Sequence, residues 1–290
     1  MYALKFSKTY DFGIMERNGI QHVLEDKFYA DNQIFCIADG VTRDFVDGSQ
    51  MKYPETMEDV EQILKKYPNP SGAARAAIDC VNNVVTYLKE KKESKEPINE
   101  EELKKAVEYA NFTIGKINEG RKIDYLAEDK YSCVSIGGIL DQEEIQAYVI
   151  GDCGMVLLDS QYQTVFDSMR ETKDKPDFFI KFGEKYFPKE FNNSHPFYRK
   201  YIRKNVRNNL RLLHKGVNNV GILNGDEKAI DFIRYYHFPN NNIQYVLAFS
   251  DGCYELINSP EKAKSVIENP ESIKEGFCEK TLIIYEKTGE

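Results

Sequence analysis

Short apolar runs along the chain predict a series of strands. The run from Gln33 to Ala38 is almost continuously apolar, which is typical of a strand that is covered on both faces. Most of the runs end at a residue that favours a turn, such as Gly or Asp. On this pattern we predict further strands over residues 132–140, 145–150, 155–158, 244–249 and 281–285.

Two stretches have the 3.6-residue apolar spacing of amphipathic helices. The first runs from Gly72 to about Lys91, with Ser71 as a plausible N-cap. The second follows Asn99, and Glu102 three residues later completes a capping-box pattern. The region 165–240 is harder to interpret. We predict helices there at about 196–213 and 227–236, and a further helix near Tyr254.

Strands at both ends with paired helices between them predict one α/β-layered domain over residues 1–290. The aromatic- and amide-rich region 165–240 is either an insertion or a flap, and the pattern does not decide between them. The length of 290 residues is enough to bury a sizeable core.

Composition narrows the function classes. Thirty-nine basic against 47 acidic residues give a formal charge of −8, which disfavours a nucleic-acid groove. No apolar run approaches the roughly 20 residues that cross a bilayer, and the first residues lack the apolar stretch of a secretory signal. We therefore expect a soluble, cytoplasmic protein. The six cysteines include no CxxC pair, so we expect buried free thiols.

Three acidic sites lie at the end of an apolar strand or just before one, namely Glu25-Asp26, Asp39-Gly40 and Asp251-Gly252. A glycine directly after the acid leaves the backbone free to approach a ligand closely. Converging carboxylates repel one another unless a cation lies between them, and Mg²⁺ or Mn²⁺ suits such oxygen ligands. A single Asp-Gly is more often only a turn. The prediction of a metal site therefore depends on the order of the three sites along the chain and on the residues that flank them.

Five short segments follow one another along the chain, each at a strand boundary. They are Glu25-Asp26, Ile37-Ala38-Asp39-Gly40, Val149-Ile150-Gly151-Asp152-Cys153-Gly154, Ala248-Phe249-Ser250-Asp251-Gly252 and Lys280-Thr281-Leu282-Ile283-Ile284. In this order they resemble the signature motifs of the PP2C (PPM) metal-dependent protein phosphatases. The resemblance implies an α/β (α+β) fold, a four-layer αββα sandwich with two central β-sheets flanked by helix pairs.

The resemblance also implies a metal site at one end of the sandwich. Glu25 matches an acidic ligand, Asp39 the carboxylate that bridges two ions, and Gly40 a ligand through its backbone carbonyl. Asp251 matches a ligand of the other ion, and Asp152 a position associated with a weaker third ion. Two Mn²⁺ or Mg²⁺ ions would lower the pKa of a bridging water, which would attack phosphorus in line. No Ser or Cys nucleophile is then required.

The sequence departs from the family pattern at two places. Cys278 stands where the family usually has a metal-binding Asp, so either Glu279 reaches the metal after a one-residue shift or one ion site is weakened. Gln21 stands where the family has a phosphate-binding Arg. Arg17 and Arg43 are candidate catalytic replacements, although either could equally be a solvated surface residue.

The predicted function is a metal-dependent phosphatase that acts on phosphoserine and phosphothreonine in proteins. The alternative is a catalytically weak relative that keeps the fold as a binding or regulatory module, an idea motivated by Cys278 and Glu279. A phosphoesterase for a small molecule is a third, weaker possibility. We expect a phosphoprotein substrate, a monomer, and no nucleic-acid or membrane partner.

Overall fold

The structure is a computed structural model that describes residues 1–10, 24–41, 70–121, 130–170, 183–189, 191, 221–273 and 279–289. The helix predicted at 196–213 lies outside these residues.

Within the described residues, ten strands form two five-stranded antiparallel sheets. In the first sheet the order is β1-β10-β9-β6-β7, and in the second it is β2-β3-β4-β5-β8. The strands are β1 (Tyr2–Tyr10), β2 (Lys27–Ala30), β3 (Ile34–Gly40), β4 (Cys133–Leu140), β5 (Glu144–Ile150), β6 (Gly154–Leu158), β7 (Thr164–Asp167), β8 (Arg234–Pro239), β9 (Tyr245–Phe249) and β10 (Lys280–Lys287).

The strand β10 shows how the layers form, because alternate side chains of a strand point to opposite faces of its sheet. Ile283 and Tyr285 belong to the large core cluster, which also contains residues of the second sheet. Leu282 and Ile284 belong to a separate cluster on the other face. Both faces of the first sheet are therefore buried, which explains why its central strands are continuously apolar.

Two long helices cover the second sheet. Helix α1 (Gly72–Glu93) packs against β2, β3 and β4, and α2 (Glu100–Asn118) packs against α1 and β5. Ser71 caps α1 by accepting a hydrogen bond from Ala74 N at 3.0 Å, as predicted. Asn99 caps α2 through Glu102 N at 3.1 Å, also as predicted. The Glu102 carboxylate does not complete a capping box, because it accepts hydrogen bonds from Tyr87 and Lys105 instead.

Two short helices cover the outer face of the first sheet. Helix α3 (Tyr254–Ile257) and helix α4 (Pro260–Glu268) follow β9 directly along the chain. Their buried side chains, Ile257, Ala263, Val266 and Ile267 among them, pack on the outward residues of β9 and β10. The layers are thus helices, sheet, sheet and helices, which confirms the predicted four-layer αββα sandwich.

The helix predicted at 227–236 is found only as a 3-10 helix over its first six residues and is wrong for its last four. Residues Glu227–Phe232 form a 3-10 helix, and the chain then enters β8, which pairs with β5 from Val149 to Glu144. The residues Tyr235, Tyr236 and Phe238 explain the difference, because aromatic residues favour a pleated, half-buried surface over a helix. The described parts of 165–240 thus include an edge strand of each sheet.

The five described cysteines, Cys36, Cys80, Cys133, Cys153 and Cys253, are free and buried, as predicted. Among the helices that the structure describes, none is long and apolar enough to cross a membrane.

Candidate active site

Acidic residues meet at one end of the sandwich because each lies where a strand begins or ends. In the second sheet, Glu25 and Asp26 directly precede β2, and Asp39 is the second-last residue of β3. Asp152 lies in the turn between β5 and β6. In the first sheet, Asp251 stands two residues after the end of β9, and Glu279 directly precedes β10. Both sheets therefore contribute carboxylates to the same end.

Glu279 joins the two sheets at this end. Its Oε1 accepts hydrogen bonds from the backbone N–H of Glu25 at 2.6 Å and of Asp26 at 2.7 Å. The carboxylate before the last strand thus fixes the backbone of the acidic pair before β2. Both bonds go to Oε1, so Oε2 is the Glu279 oxygen that could meet a cation.

A chain of hydroxyl groups holds Asp26. Thr281 Oγ1 donates a hydrogen bond to Asp26 Oδ2 at 2.8 Å. Because a hydroxyl has a single proton, Thr9 Oγ1 must be the donor in its 2.9 Å contact with Thr281 Oγ1. The backbone of Thr281 is paired in turn with Ser250, whose Oγ accepts from Thr281 N at 2.9 Å. The side chain of Asp26 is therefore oriented by strands of the first sheet, although it belongs to the second.

The first turn of α1 packs against the acidic end. Ser71 Oγ, besides capping the helix, donates a hydrogen bond to Glu25 Oε1. A Cβ added at Gly40 would lie 2.7 Å from the carbonyl carbon of Ala73 and 2.8 Å from its oxygen. The glycine after Asp39 is therefore required for the close approach of α1 to β3.

Burial and mutual repulsion raise the pKa values of these acids. Burial raises the pKa of Asp39 well above its ordinary value, and the charges of Asp26, Asp251, Asp152 and Glu279 raise it further. Burial also raises the pKa of Asp26 to about 6, against the hydrogen bond from Thr281. Burial and the charge of Asp26 raise the pKa of Glu279 to about 9. Among the described residues, the charges that act most strongly on Asp39 are all negative.

These residues fit a hard divalent cation in their chemistry. The possible ligand atoms are carboxylate oxygens, which Mg²⁺ and Mn²⁺ prefer. A bound cation would also reduce the electrostatic repulsion between the carboxylates. Asp26 Oδ1 is buried and meets no hydrogen-bond partner among the described residues. In the part of the chain that the structure describes, no three Asp, Glu, His or Cys side chains are placed to hold one ion together. Mg²⁺ usually keeps several waters, so it needs few direct protein ligands.

The structure brings most of the predicted site residues together. Glu25, Asp39, Gly40, Asp152, Asp251 and Glu279 all lie at this end of the sandwich. The candidate catalytic arginines, Arg17 and Arg43, and the departure at Cys278 lie outside the described residues.

Sequence reasoning missed the residues that hold the acids in place. Asp26 belongs to a predicted motif but is not among the predicted site residues. Its charge is nevertheless the largest cause, after burial, of the raised pKa of Asp39. Ser71 was predicted only as a helix cap. Thr281 and Ser250 are fully buried hydroxyl residues, but their burial and their partners are visible only in the structure.

Comparisons with solved structures identify the fold. No protein-family model matches the sequence, and no curated protein matches it either. The chain is similar to the serine/threonine phosphatase PstP/Ppp of Mycobacterium tuberculosis, with a TM-score of 0.51 and 13% identity over 99% of this chain and 97% of that one. A structure of the PstP catalytic domain in complex with two manganese ions has a TM-score of 0.52, 13% identity and 99% coverage of both chains.

A third solved structure, a bacterial serine phosphatase, has a TM-score of 0.52 and 10% identity over 100% of this chain and 98% of that one. At such low identity these likenesses establish the fold. The chain has the fold of PP2C-type bacterial Ser/Thr phosphatases over nearly its whole length, which confirms the fold that the motif series predicted.

Proposed function

We propose that this chain is a metal-dependent phosphatase that hydrolyses phosphoserine and phosphothreonine in proteins. The observation that carries the proposal is the meeting of Asp26, Asp39, Asp152, Asp251 and Glu279 at one end of the sandwich. Clustered carboxylates are costly unless a cation compensates them. Solved phosphatases of the same fold, one of them with two manganese ions, give independent support.

Two Mn²⁺ or Mg²⁺ ions, and a weaker third one, are the proposed cofactors. Asp39, Asp251, the Gly40 carbonyl and the acidic pair before β2 would hold the first two ions, and Asp152 would serve the third. Bound there, the ions would supply a water of lowered pKa and would neutralise charge on the phosphoryl oxygens.

The protein's own residues orient this site. Glu279 holds the backbone of Glu25 and Asp26 through two N–H groups. Thr281 holds Asp26 Oδ2, and Ser71 holds Glu25 Oε1, so two carboxylates keep fixed directions. Fixed oxygen atoms lower the reorganisation that binding and catalysis require, which is the main contribution expected of a protein scaffold in phosphoryl transfer.

The proposed substrate is a phosphoprotein, and the proposed state is a monomer without nucleic-acid or membrane partners. The formal charge of −8 supports the exclusion of nucleic acid.

The test is hydrolysis of p-nitrophenyl phosphate and of a phosphothreonine peptide, in Mn²⁺ and in EDTA. We expect turnover that requires Mn²⁺ and that falls at least about 100-fold in Asp39→Asn, because this change removes a central charge of the site. The matched control is Glu108→Gln, which neutralises an exposed acid on α2 and should leave turnover unchanged.

Full activity of Asp39→Asn after metal removal and replenishment would overturn the proposal. Absence of turnover in a folded wild-type protein that binds no Mn²⁺ would instead favour the alternative of a binding or regulatory module. Turnover of small phosphate esters without any turnover of phosphopeptides would keep the metal site and change the substrate class.

A further inference from the structure

The turn between β5 and β6 carries Asp152 and is held on several sides. Gly151 has a φ of +77°, a left-handed conformation that strains any residue with a Cβ. A Cβ at Gly151 would also lie 2.2 Å from Val134 Cγ1 and 3.1 Å from the carbonyl oxygen of Gly221. The turn is therefore packed tightly between Val134 of β4 and the backbone of Gly221.

Arg234 closes the remaining side of the turn. It is the first residue of β8 and pairs with Val149 of β5, two residues before Gly151. Its Nη2 donates a hydrogen bond to the carbonyl oxygen of Gly151 at 3.2 Å. Its Nη1 donates to the carbonyl oxygen of Ser168 at 3.0 Å and to Tyr236 Oη at 3.2 Å.

These contacts tie the two sheets together beside the acidic cluster. Ser168 directly follows β7 and is paired with Met155 of β6, so it belongs to the first sheet. Gly151 directly follows β5 of the second sheet. One guanidinium thus spans both sheets at the residue before Asp152, and its planar shape lets it meet several carbonyls at fixed angles.

We propose that Arg234 is a positioning residue for Asp152, which it holds beside Asp39 by fixing the Gly151 carbonyl. The proposal rests on the metal site of the proposed function, since Asp152 matters there as the ligand of the weaker ion. Neither the resemblance nor the comparisons assign a role to Arg234. Its guanidinium contacts the turn and not the reacting atoms, so its effect should pass through Asp152.

The first test needs no metal and no activity. Hydrogen exchange of the peptide that covers residues 148–154 is measured by mass spectrometry on the protein in EDTA. Arg234→Met keeps much of the apolar stem but removes the donors, and we expect exchange in the turn to accelerate about tenfold, the loss of one charged hydrogen bond. The matched control, Tyr236→Phe, removes a partner of Arg234 but leaves the Gly151 contact, and should exchange like the wild type.

The second test is Mn²⁺ titration by calorimetry on the same variants and on Asp152→Asn. Removing a group that orients a ligand typically weakens metal binding about 10–100-fold. We expect Arg234→Met and Asp152→Asn each to weaken the weakest Mn²⁺ step at least about tenfold. The double variant should lose no more than Asp152→Asn alone, because Arg234 acts through that carboxylate.

The outcomes separate the two proposals. Unchanged exchange in Arg234→Met, or a further loss of Mn²⁺ affinity in the double variant, would overturn the role of Arg234 alone. A wild-type protein that binds no Mn²⁺ would overturn the metal site of the proposed function, while the exchange test would still decide whether Arg234 holds the turn. If Arg234→Met does not fold, Arg234→Lys replaces it in the test. Lysine keeps the positive charge but lacks the planar guanidinium that meets two carbonyls, so it should accelerate hydrogen exchange in the turn by the same factor.

Discussion

Ser71 performs two tasks with one hydroxyl, and replacing it by alanine should remove both. The residue is buried, its Oγ accepts from Ala74 N at 3.0 Å, and the same Oγ donates to Glu25 Oε1. Loss of an N-cap costs about 1 kcal/mol. Loss of a buried hydrogen bond to a charged group costs about 1.5–3 kcal/mol. We therefore expect Ser71→Ala to lower the free energy of unfolding by about 2–4 kcal/mol.

The assay is urea and thermal unfolding in EDTA, followed by circular dichroism. For a chain of this size the loss corresponds to a fall in Tm of about 3–7 °C. The matched control is Ser259→Ala, which removes an exposed N-cap on α4, where Ser259 Oγ accepts from Lys262 N at 3.4 Å. That change should cost about 0.5–1 kcal/mol.

The excess of Ser71→Ala over the control measures the contact with Glu25. In a protein that already carries Glu25→Gln, Ser71→Ala should lower the free energy of unfolding by less, since the charged acceptor is gone. The coupling free energy between Ser71→Ala and Glu25→Gln should be about 1 kcal/mol or more. If Ser71→Ala costs no more than Ser259→Ala, the hydroxyl does not support Glu25, and the orientation of that carboxylate must come from elsewhere.

Two further predictions follow from close contacts. Gly40→Ala should lower the free energy of unfolding by about 1–3 kcal/mol in thermal melts, because its Cβ would meet the backbone of Ala73 at 2.7 Å. The control Gly289→Ala, whose Cβ would have nothing within 4 Å, should change the melt little. Equal melts of the two variants would contradict this packing. Hydrogen bonds from Lys105 and Tyr87 lower the pKa of Glu102 to about 2 from 4.5, so its stabilisation is present above pH 4.5 and is lost as the pH falls towards 2. Glu102→Gln should therefore be about 1–2 kcal/mol less stable than the wild type at pH 7 but nearly equal to it at pH 2, and a pH-independent difference in urea unfolding would refute the assignment.

The central strands could be predicted because burial on both faces makes them apolar throughout. The predicted strand over 145–150 corresponds to β5, and the one over 244–249 corresponds to β9, each within one residue at either end. The strand β1 was not singled out, because only Tyr2 and Tyr10 are fully buried and Lys5 and Lys8 interrupt its pattern. Edge strands with one partner carry a weaker signal, and for the same reason the first half of β8, residues 234–236, falls within the helix predicted at 227–236.

The acids of the candidate site could be predicted from the motif series, since each lies at a strand boundary. Their supports could not, because they depend on contacts between residues far apart in the sequence. Thr281 and Asp26 are separated by 255 positions, and Arg234 and Gly151 by 83. A hydroxyl or a guanidinium in a strand gives no local indication of the partner that it will meet.

The pairing of β1 with β10 also constrains when the site can form during synthesis. In the described sheet, β10 lies between β1 and β9, so β1 has no other strand beside it. Glu279 and Thr281, which hold the backbone and the side chain of Asp26, stand at the beginning of the same strand. A nascent chain that has not yet released residues 279–287 from the ribosome thus lacks both the partner of β1 and the supports of Asp26. We therefore expect the acidic end of the sandwich to form only after residues 279–287 have left the ribosome.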